Sequence, residues 1–308
     1  MSGDELFSRV DSNPILTARD IPYRANAVFN AGAALVGSRT VLLLRVEDCR
    51  GISHFARARS DDGVGNWIID HEPAFTPDPE NFPEEEWGIE DPRITFVPEL
   101  NKWAVVYCAF SHHAPAVSMA FTEDFRTYDR LGMVLPPENK DAALFPEQID
   151  GRWVLLHRPV PYRPGSPLNM WLAFSPDLRH WGDHTCLLEA RSGAWWDACK
   201  IGLSAQPMRT SEGWLILYHG VRETVSGSIY RQGLALLDLK DPRRVLARST
   251  EWVFGPEKPY ERVGDVGNVT FSGGWLLRDE TVYMYYGGAD SCMCLATAPL
   301  ERLLGSLR

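Results

Sequence analysis

Ala120-Phe121-Thr122-Glu123-Asp124 is one of five copies of a short pattern, an alanine followed by a polar turn. The others are Ala58-Arg59-Ser60-Asp61, Ala173-Phe174-Ser175-Pro176-Asp177, Ala235-Leu236-Leu237-Asp238 and Ala296-Thr297-Ala298-Pro299. Successive alanines stand 62, 53, 62 and 61 residues apart, so five units account for the whole chain of 308 residues. Upstream of each alanine lies an apolar, strand-like run: 41–45, 103–110, 153–157, 214–219 and 282–286. Each run follows a turn signal, namely Gly37-Ser38, Asn101-Lys102, Gly151-Arg152, Gly213 and Asp279-Glu280. A fixed period of several short strands indicates a propeller or a solenoid. About four strands per unit, separated by turns, fits a propeller blade. No unit carries the long 3.6-period apolar stripe of a helical repeat. The expected fold is therefore all-β, a single five-bladed β-propeller over residues 1–308. Residues 1–25 either precede the first blade or help to close the ring.

Composition narrows the function. Hydrophobic residues are 44% and charged residues 23%, as in ordinary globular proteins. The net charge is −10 with no basic stripe, which argues against nucleic acid as a partner. No apolar run approaches the roughly 20 residues that span a membrane. Met1-Ser2-Gly3-Asp4-Glu5 has neither the positive nor the apolar region of a secretory signal. Of the six cysteines only Cys292 and Cys294 are close in sequence, and no zinc pattern surrounds them. They read as reduced thiols of a cytoplasmic protein. The 11 tryptophans are many for this length, and tryptophan often lines sugar clefts, although most are expected in the core. A homo-oligomer is compatible with this sequence.

Propellers gather one loop from each blade at one mouth of the central channel. The equivalent loops here are 26–32, 89–93, 140–147, 197–202 and 264–268. The second belongs to Trp87-Gly88-Ile89-Glu90-Asp91-Pro92-Arg93, which sets two adjacent carboxylates at the start of the apolar run Ile94-Thr95-Phe96-Val97. Pro92 predicts an extended Asp91, because the residue before a proline is pushed out of the helical region. A fixed carboxylate at a strand mouth suits acid–base chemistry. The plainer alternative is a solvated turn with Asp91 paired to Arg93. Lys140, Arg158, Lys200 and His219 lie on these loops or on the strand ends beside them. Cations gathered at one mouth of an acidic protein suggest a bound anion. Phosphate suits arginine as a bidentate donor and lysine as a point charge. There is no G-x-S-x-G elbow, HExxH, P-loop or strand-linked G-x-G-x-x-G, so neither a metal nor a dinucleotide cofactor is expected.

The ordered set Asn30-Ala31-Gly32, Arg45, Ile89-Glu90-Asp91-Pro92-Arg93-Ile94, Lys140-Asp141-Ala142-Ala143-Leu144-Phe145-Pro146-Glu147, His157-Arg158-Pro159, Lys200-Ile201-Gly202, Tyr218-His219-Gly220 and Gly287-Gly288-Ala289-Asp290 resembles glycoside hydrolase family 130, the β-mannoside phosphorylases. The resemblance runs from about residue 13 to 300, and the family has a five-bladed propeller. It implies inverting phosphorolysis: inorganic phosphate attacks the anomeric carbon of a non-reducing-end β-mannoside and gives α-mannose 1-phosphate. It makes Asp91 the general acid, its proton passing through the mannose 3-hydroxyl. It assigns phosphate to Arg158, Lys200 and His219, with Tyr230 matching a phosphate-contacting tyrosine. Lys140 stands where many members have an arginine. It assigns the mannosyl unit to Asn30, Arg45 and Asp290. Phosphate is a co-substrate here and no cofactor is implied. An ordinary inverting hydrolase needs a second carboxylate, roughly 6.5–9.5 Å away, to activate water, whereas phosphate is already an anionic nucleophile.

Family members that hydrolyse lack parts of the basic set, and this chain keeps Arg158, Lys200 and His219. Members acting on β-1,4-mannosyl-glucose tend to carry tyrosine where Glu90 stands. The Glu-Asp-Pro-Arg form looks more like members acting on β-1,2-linked mannobiose and mannooligosaccharides. Glu90 would raise the proton affinity of Asp91, and the cations would lower it. Loops 77–86 and 159–169 are expected to shape the acceptor side. A β-1,2-mannosidase, a β-1,4-mannosyl-glucose phosphorylase and a non-catalytic glycan-binding propeller are the competing readings.

Overall fold

Five antiparallel sheets form a ring in this structure, a computed structural model that describes residues 5–161 and 165–308. Blade 1 runs from the axis outward through Ala27–Val36, Arg39–Glu47, Ser53–Ser60 and Ile68–Ile69. Blade 2 is Ile89–Val97, Lys102–Ser111, Ala114–Thr122 and Asp129–Leu135. Blade 3 is Asn139–Leu144, Trp153–Pro159, Met170–Ser175 and Gly182–Leu188. Blade 4 is Lys200–Leu203, Trp214–Thr224, Gly227–Leu237 and Val245–Arg248, with Met208–Arg209 also paired to its second strand. Blade 5 is Thr270–Arg278, Thr281–Gly288 and Cys292–Pro299.

The apolar runs read from the sequence are the second strands of the five blades. The five alanines lie in the third strands, and each is 0% exposed. A methyl group fills the space between neighbouring sheets there without holding them apart. The core is correspondingly divided into five seams. Val28, Leu42 and Leu44 of blade 1 pack on Tyr285 and Leu295 of blade 5 in one of them. Trp214 and Tyr218 of blade 4 pack on Phe145 and Leu156 of blade 3 in another. Apolar residues on both faces of each middle strand are thus buried, which is why those runs read as continuous rather than alternating.

The N-terminal segment closes the ring. Ser8–Arg9 forms the outermost strand of blade 5, with Ser8 opposite Thr297 and Arg9 opposite Ala296. Asn13 continues the pairing with its side chain: Nδ2 donates to the Leu295 carbonyl at 2.8 Å, and Oδ1 accepts from the Leu295 amide at 2.8 Å. Arg9 Nε donates to Glu261 Oε1 at 2.7 Å, and its guanidinium lies 4.2 Å from the centre of the Phe254 ring.

Two expectations are corrected. Segments 89–93 and 140–147, read as loops, are largely the first residues of innermost strands, as are Ala27–Gly32 of 26–32. Asp91 is not extended but left-handed, at φ +49°. The cause is a bulge, seen as a shift of register between Glu90 and Arg93 against the neighbouring strand. Asn30 (φ +48°) and Asp141 (φ +53°) occupy the matching bulges of blades 1 and 3. Asparagine and aspartate tolerate this conformation better than other side chains.

Removing the Arg9 side chain leaves the buried Glu261 carboxylate without its cation. Arg9→Ala is expected to cost about 3 kcal/mol or more in urea denaturation. Arg39→Ala, whose partner Asp61 is exposed, should cost less than about 1 kcal/mol.

Candidate active site

The bulges decide what faces the axis. At its site-side end each innermost strand turns a side chain into a common pocket lined by Asn30 and Arg45 of blade 1, Asp91 of blade 2 and Lys140, Asp141 and Arg158 of blade 3. Blade 4 adds Lys200, His219 and Tyr230, and blade 5 with its preceding loop adds Val266, Val269, Phe271 and Asp290. Nine of the ten residues singled out in the sequence therefore meet in one cavity. Glu90 is not among the lining residues and stands behind Arg45. No tryptophan lines the cavity, so the abundance of tryptophan belongs to the core and the surface.

Asp91 is pinned. Its Oδ1 accepts from Asn30 Nδ2 at 3.0 Å and from Arg45 Nη1 at 3.0 Å. Arg45 uses Nη2 to bind Glu90 Oε1 at 2.9 Å and Nε to bind Ser53 Oγ at 3.0 Å. One guanidinium thus spans both carboxylates of the Glu90-Asp91 pair. The Asp91–Arg93 ion pair of the alternative reading does not form. Arg93, 1% exposed, gives its hydrogen bonds to the carbonyls of Ser204 (2.8 Å), Leu203 (2.9 Å) and Asp91 (2.8 Å), tying blade 2 to blade 4 across the axis. Asn30 Oδ1 is buried without a partner among the described residues. A β-carbon on Gly287 would lie 2.2 Å from that oxygen, so only glycine leaves room for the amide that orients Asp91.

Burial alone would raise the Asp91 carboxyl. The charges of Arg45, Arg93 and Lys140, with the hydrogen bond from Asn30, instead hold it below its ordinary range. The contest left open between Glu90 and the cations goes to the cations, because Glu90 is itself neutralised by Arg45.

Asp141 organises the opposite wall and was overlooked as a site residue. Arg158 Nε donates to its Oδ2 at 2.7 Å, and Arg93 Nη2 and His219 Nε2 lie 3.5 Å from its two oxygens. Burial works to raise the Asp141 carboxyl, but Arg158 and its other cationic neighbours hold it well below the carboxylate range. Gly202 makes room for this cluster, since a β-carbon there would come within 2.5 Å of Asp141 Oδ2. The signal that could have found Asp141 is its place in the series Asn30-Ala31, Asp91-Pro92, Asp141-Ala142. Phe271, 4.9 Å from the His219 ring, gave no such signal.

His219 is not the cation the sequence suggested. Burial drives its imidazole down to about 3, so it is neutral near pH 7. Lys140 and Lys200 differ from the arginines. Neither ammonium has a carboxylate within salt-bridge distance among the described residues. Lys200 Nζ lies 4.8 Å from the centre of the Tyr230 ring, which stacks on His219. Burial works against charge on Lys140, yet the surrounding acidic groups hold its pKa above the ordinary lysine value. Asp290 is the mirror case: burial and the charge of Asp91 push its carboxyl up to about 7. Among the described residues no cluster of histidine, cysteine and carboxylate side chains is arranged to hold a metal ion.

Loop 159–169 was expected to shape the acceptor side, and its residues 162–164 lie outside the described residues. Loop 77–86 is anchored beneath the rim by Glu85, whose Oε1 accepts from Tyr107 at 2.7 Å and whose Oε2 pairs with Arg130 and accepts from the Asp78 amide at 2.9 Å.

The chain and its five-bladed ring have counterparts among known proteins. Residues 6–308 match the model of glycoside hydrolase family 130, described as β-1,4-mannooligosaccharide phosphorylase. The chain is 33% identical over 306 residues to a 1,2-β-oligomannan phosphorylase of Thermoanaerobacter sp. strain X514, covering 96% of this chain and 98% of the relative. It is 34% identical over 306 residues to a β-1,4-mannooligosaccharide phosphorylase of Ruminococcus albus, covering 96% and 89%. The structure of a β-1,2-mannobiose phosphorylase from Listeria innocua, in complex with β-1,2-mannobiose, superposes with a TM-score of 0.88 at 31% identity, covering 98% of this chain and 99% of that one. The chain belongs to glycoside hydrolase family 130.

The raised Asp290 carboxyl has a consequence for stability. In the unfolded chain it ionises near 3.8, while in the folded protein it stays neutral up to about 7. The folded state therefore loses stability through this group as pH rises across that window, and the loss levels off above it. Asp290→Asn is expected to gain stability relative to the native protein as pH rises from about 4 to about 7. Urea denaturation of both proteins at several pH values reads the difference. A constant difference across the window would contradict the assignment.

Proposed function

We propose that the protein is an inverting β-mannoside phosphorylase that uses inorganic phosphate to release α-mannose 1-phosphate from the non-reducing end of its substrate. The observation that carries this reading is the pair of unpartnered ammonium groups, Lys140 and Lys200, in the same pocket as Arg158 and the pinned carboxylate of Asp91. Two ammonium groups without a paired carboxylate in a confined pocket leave room for an anion to complete them, although more distant acidic groups already favour the charge on Lys140. Phosphate supplies two negative charges and several acceptor oxygens.

The division of labour follows from the walls. Lys200, Arg158, His219 and Tyr230 receive the phosphate, with Lys140 between it and Asp91. Asn30, Arg45 and Asp290 receive the mannosyl unit. Asp91 protonates the leaving oxygen, through the mannose 3-hydroxyl as the family resemblance implies. The neutral His219 donates a hydrogen bond rather than a full charge, which leaves the nucleophile less stabilised than a third cation would. No second carboxylate is needed to activate water, because the bound anion attacks directly. Holding that anion beside the anomeric carbon supplies much of the rate, since the reaction becomes effectively unimolecular.

The substrate proposed is β-1,2-linked mannobiose and its longer homologues. The Glu90-Asp91 form supports this linkage, as do the names of the Thermoanaerobacter and Listeria relatives. A β-1,4 linkage is the second reading, favoured by the description of the family model and by the Ruminococcus relative at similar identity.

Mannose 1-phosphate should form from β-1,2-mannobiose only when phosphate is present. Equal release of free mannose with and without phosphate would replace this reading by a β-mannosidase. Asp91→Asn is expected to lower turnover of the disaccharide by about 10²–10⁴-fold. Lys200→Met should raise the KM for phosphate by about 10-fold or more while leaving the KM for mannobiose nearly unchanged. Run in reverse with mannose 1-phosphate and a panel of acceptors, the enzyme reports its linkage through its product, and a β-1,4 bond would select the second reading.

A further inference from the structure

Four carboxyl groups stand in or behind the pocket, and three of them are paired. Glu90 and Asp91 share Arg45, and Asp141 holds Arg158. Asp290 lines the same cavity and makes no hydrogen bond or salt bridge among the described residues. It is carried on the turn between the second and third strands of blade 5, where Ala289 (φ +47°) and Asp290 (φ +49°) are both left-handed. The charges that act on it come from three other blades: Asp91 and Glu90 from blade 2, Arg45 from blade 1 and Lys140 from blade 3. Asp141, Arg158, Lys200, His219 and Tyr230 complete the polar wall. An acid catalyst must begin with a proton, and Asp91 sits against a guanidinium and an amide donor that both favour its ionised form.

We propose that Asp91 and Asp290 share one proton, which rests on the unpaired Asp290 and moves to Asp91 when sugar and phosphate fill the pocket. This rests on the phosphorylase reading. The dianion enters in front of Lys140 and Lys200 and offsets the positive charge that keeps Asp91 ionised, so the proton affinity of Asp91 rises at the moment the proton is needed. The O–H bond on Asp290 breaks and one forms on Asp91. Asp91 then protonates the leaving oxygen as its bond to the anomeric carbon breaks and the bond from phosphate forms. Hydrogen phosphate loses its own proton on becoming the dianion of mannose 1-phosphate, and that proton returns to Asp290. The cycle closes with no external acid. The opposite displacement of the two carboxyls, Asp290 up to about 7 and Asp91 below its ordinary range, agrees with this order.

The test is the pH dependence of kcat/KM for β-1,2-mannobiose at phosphate well below its own KM, which reads the protonation of the enzyme before the pocket is filled. The native enzyme is expected to lose activity with an alkaline limb near pH 7, where the shared proton leaves. In Asp290→Asn that limb should move to acid pH by about two units or more, since only Asp91 is left to hold the proton. Asp290→Glu should bring it back. An aryl β-mannoside, whose phenolate leaves without a proton, should be phosphorolysed by Asp290→Asn with no such limb. A uniform loss of rate with the limb unmoved would make Asp290 a sugar contact only and overturn the proposal. Should Asp290→Asn be inactive on both substrates, infrared spectra of the ligand-free proteins decide. The band of a neutral carboxyl should persist in Asp91→Asn and vanish in Asp290→Asn, and the reverse would overturn the assignment. A native enzyme that turned over equally without phosphate would instead sink the phosphorylase reading itself.

Discussion

Three left-handed Asx residues at the site-side ends of the innermost strands set the geometry on which the rest of the pocket depends. In a regular strand the side chains of Asn30, Asp91 and Asp141 would each follow the strict in-and-out alternation of their own strand. The extra residue in each bulge breaks that alternation and aims all three side chains at one point. The arrangement is crowded enough to dictate the backbone around it. Gly202 and Gly287 stand where any side chain would strike Asp141 or Asn30. The sheets supply rigidity, and the bulges convert it into a fixed carboxylate without calling on a flexible loop.

Charge in the pocket is divided by function. Arginines are consumed inside the protein: Arg45 on Glu90 and Asp91, Arg93 on backbone carbonyls, Arg158 on Asp141. Their planar donors hold several partners at once and so fix angles as well as charge. Lys140 and Lys200, which act as point charges, have no paired carboxylate among the described residues and remain available to an anion. Arg158 belongs to both groups, since Asp141 occupies its Nε and the rest of its fork faces the cavity.

Much of this was legible in the sequence, for definable reasons. The fold could be read because each blade repeats one buried alanine and one apolar run, and burial on both faces leaves a run that polar substitution would interrupt. Asp91, Lys140, Arg158, Lys200 and His219 stood out by their places in the repeat, whereas Asn30, Arg45, Tyr230 and Asp290 entered only through the family resemblance. The backbone of Asp91 could not. Pro92 argues for an extended residue before it, and the bulge that overrides this preference depends on the neighbouring strand and on Asn30 and Arg45, which are distant in sequence. Asp141 was hidden for a related reason: its role is defined by partners at 93, 158 and 219 that only the ring assembles. The neutrality of His219 follows from burial, which no single sequence position declares. Arg93 was the alternative partner of the Asp91 carboxylate because only Pro92 separates them, yet backbone carbonyls claimed its donors.

Closing the ring has a bearing on how the enzyme comes into being. The strand that completes blade 5 is Ser8–Arg9, among the earliest residues of the chain, and its partner is Cys292–Pro299, among the last. Asp290 and Phe271, which complete the pocket, belong to that same blade. During synthesis the first four blades can therefore assemble while the opening segment waits for its partner, since contacts so far apart in sequence form late. A chain halted shortly before residue 290 would carry Asp91, its arginine and both lysines, and still lack the far wall of the pocket. Catalytic activity is in this sense a signal that the circle has shut.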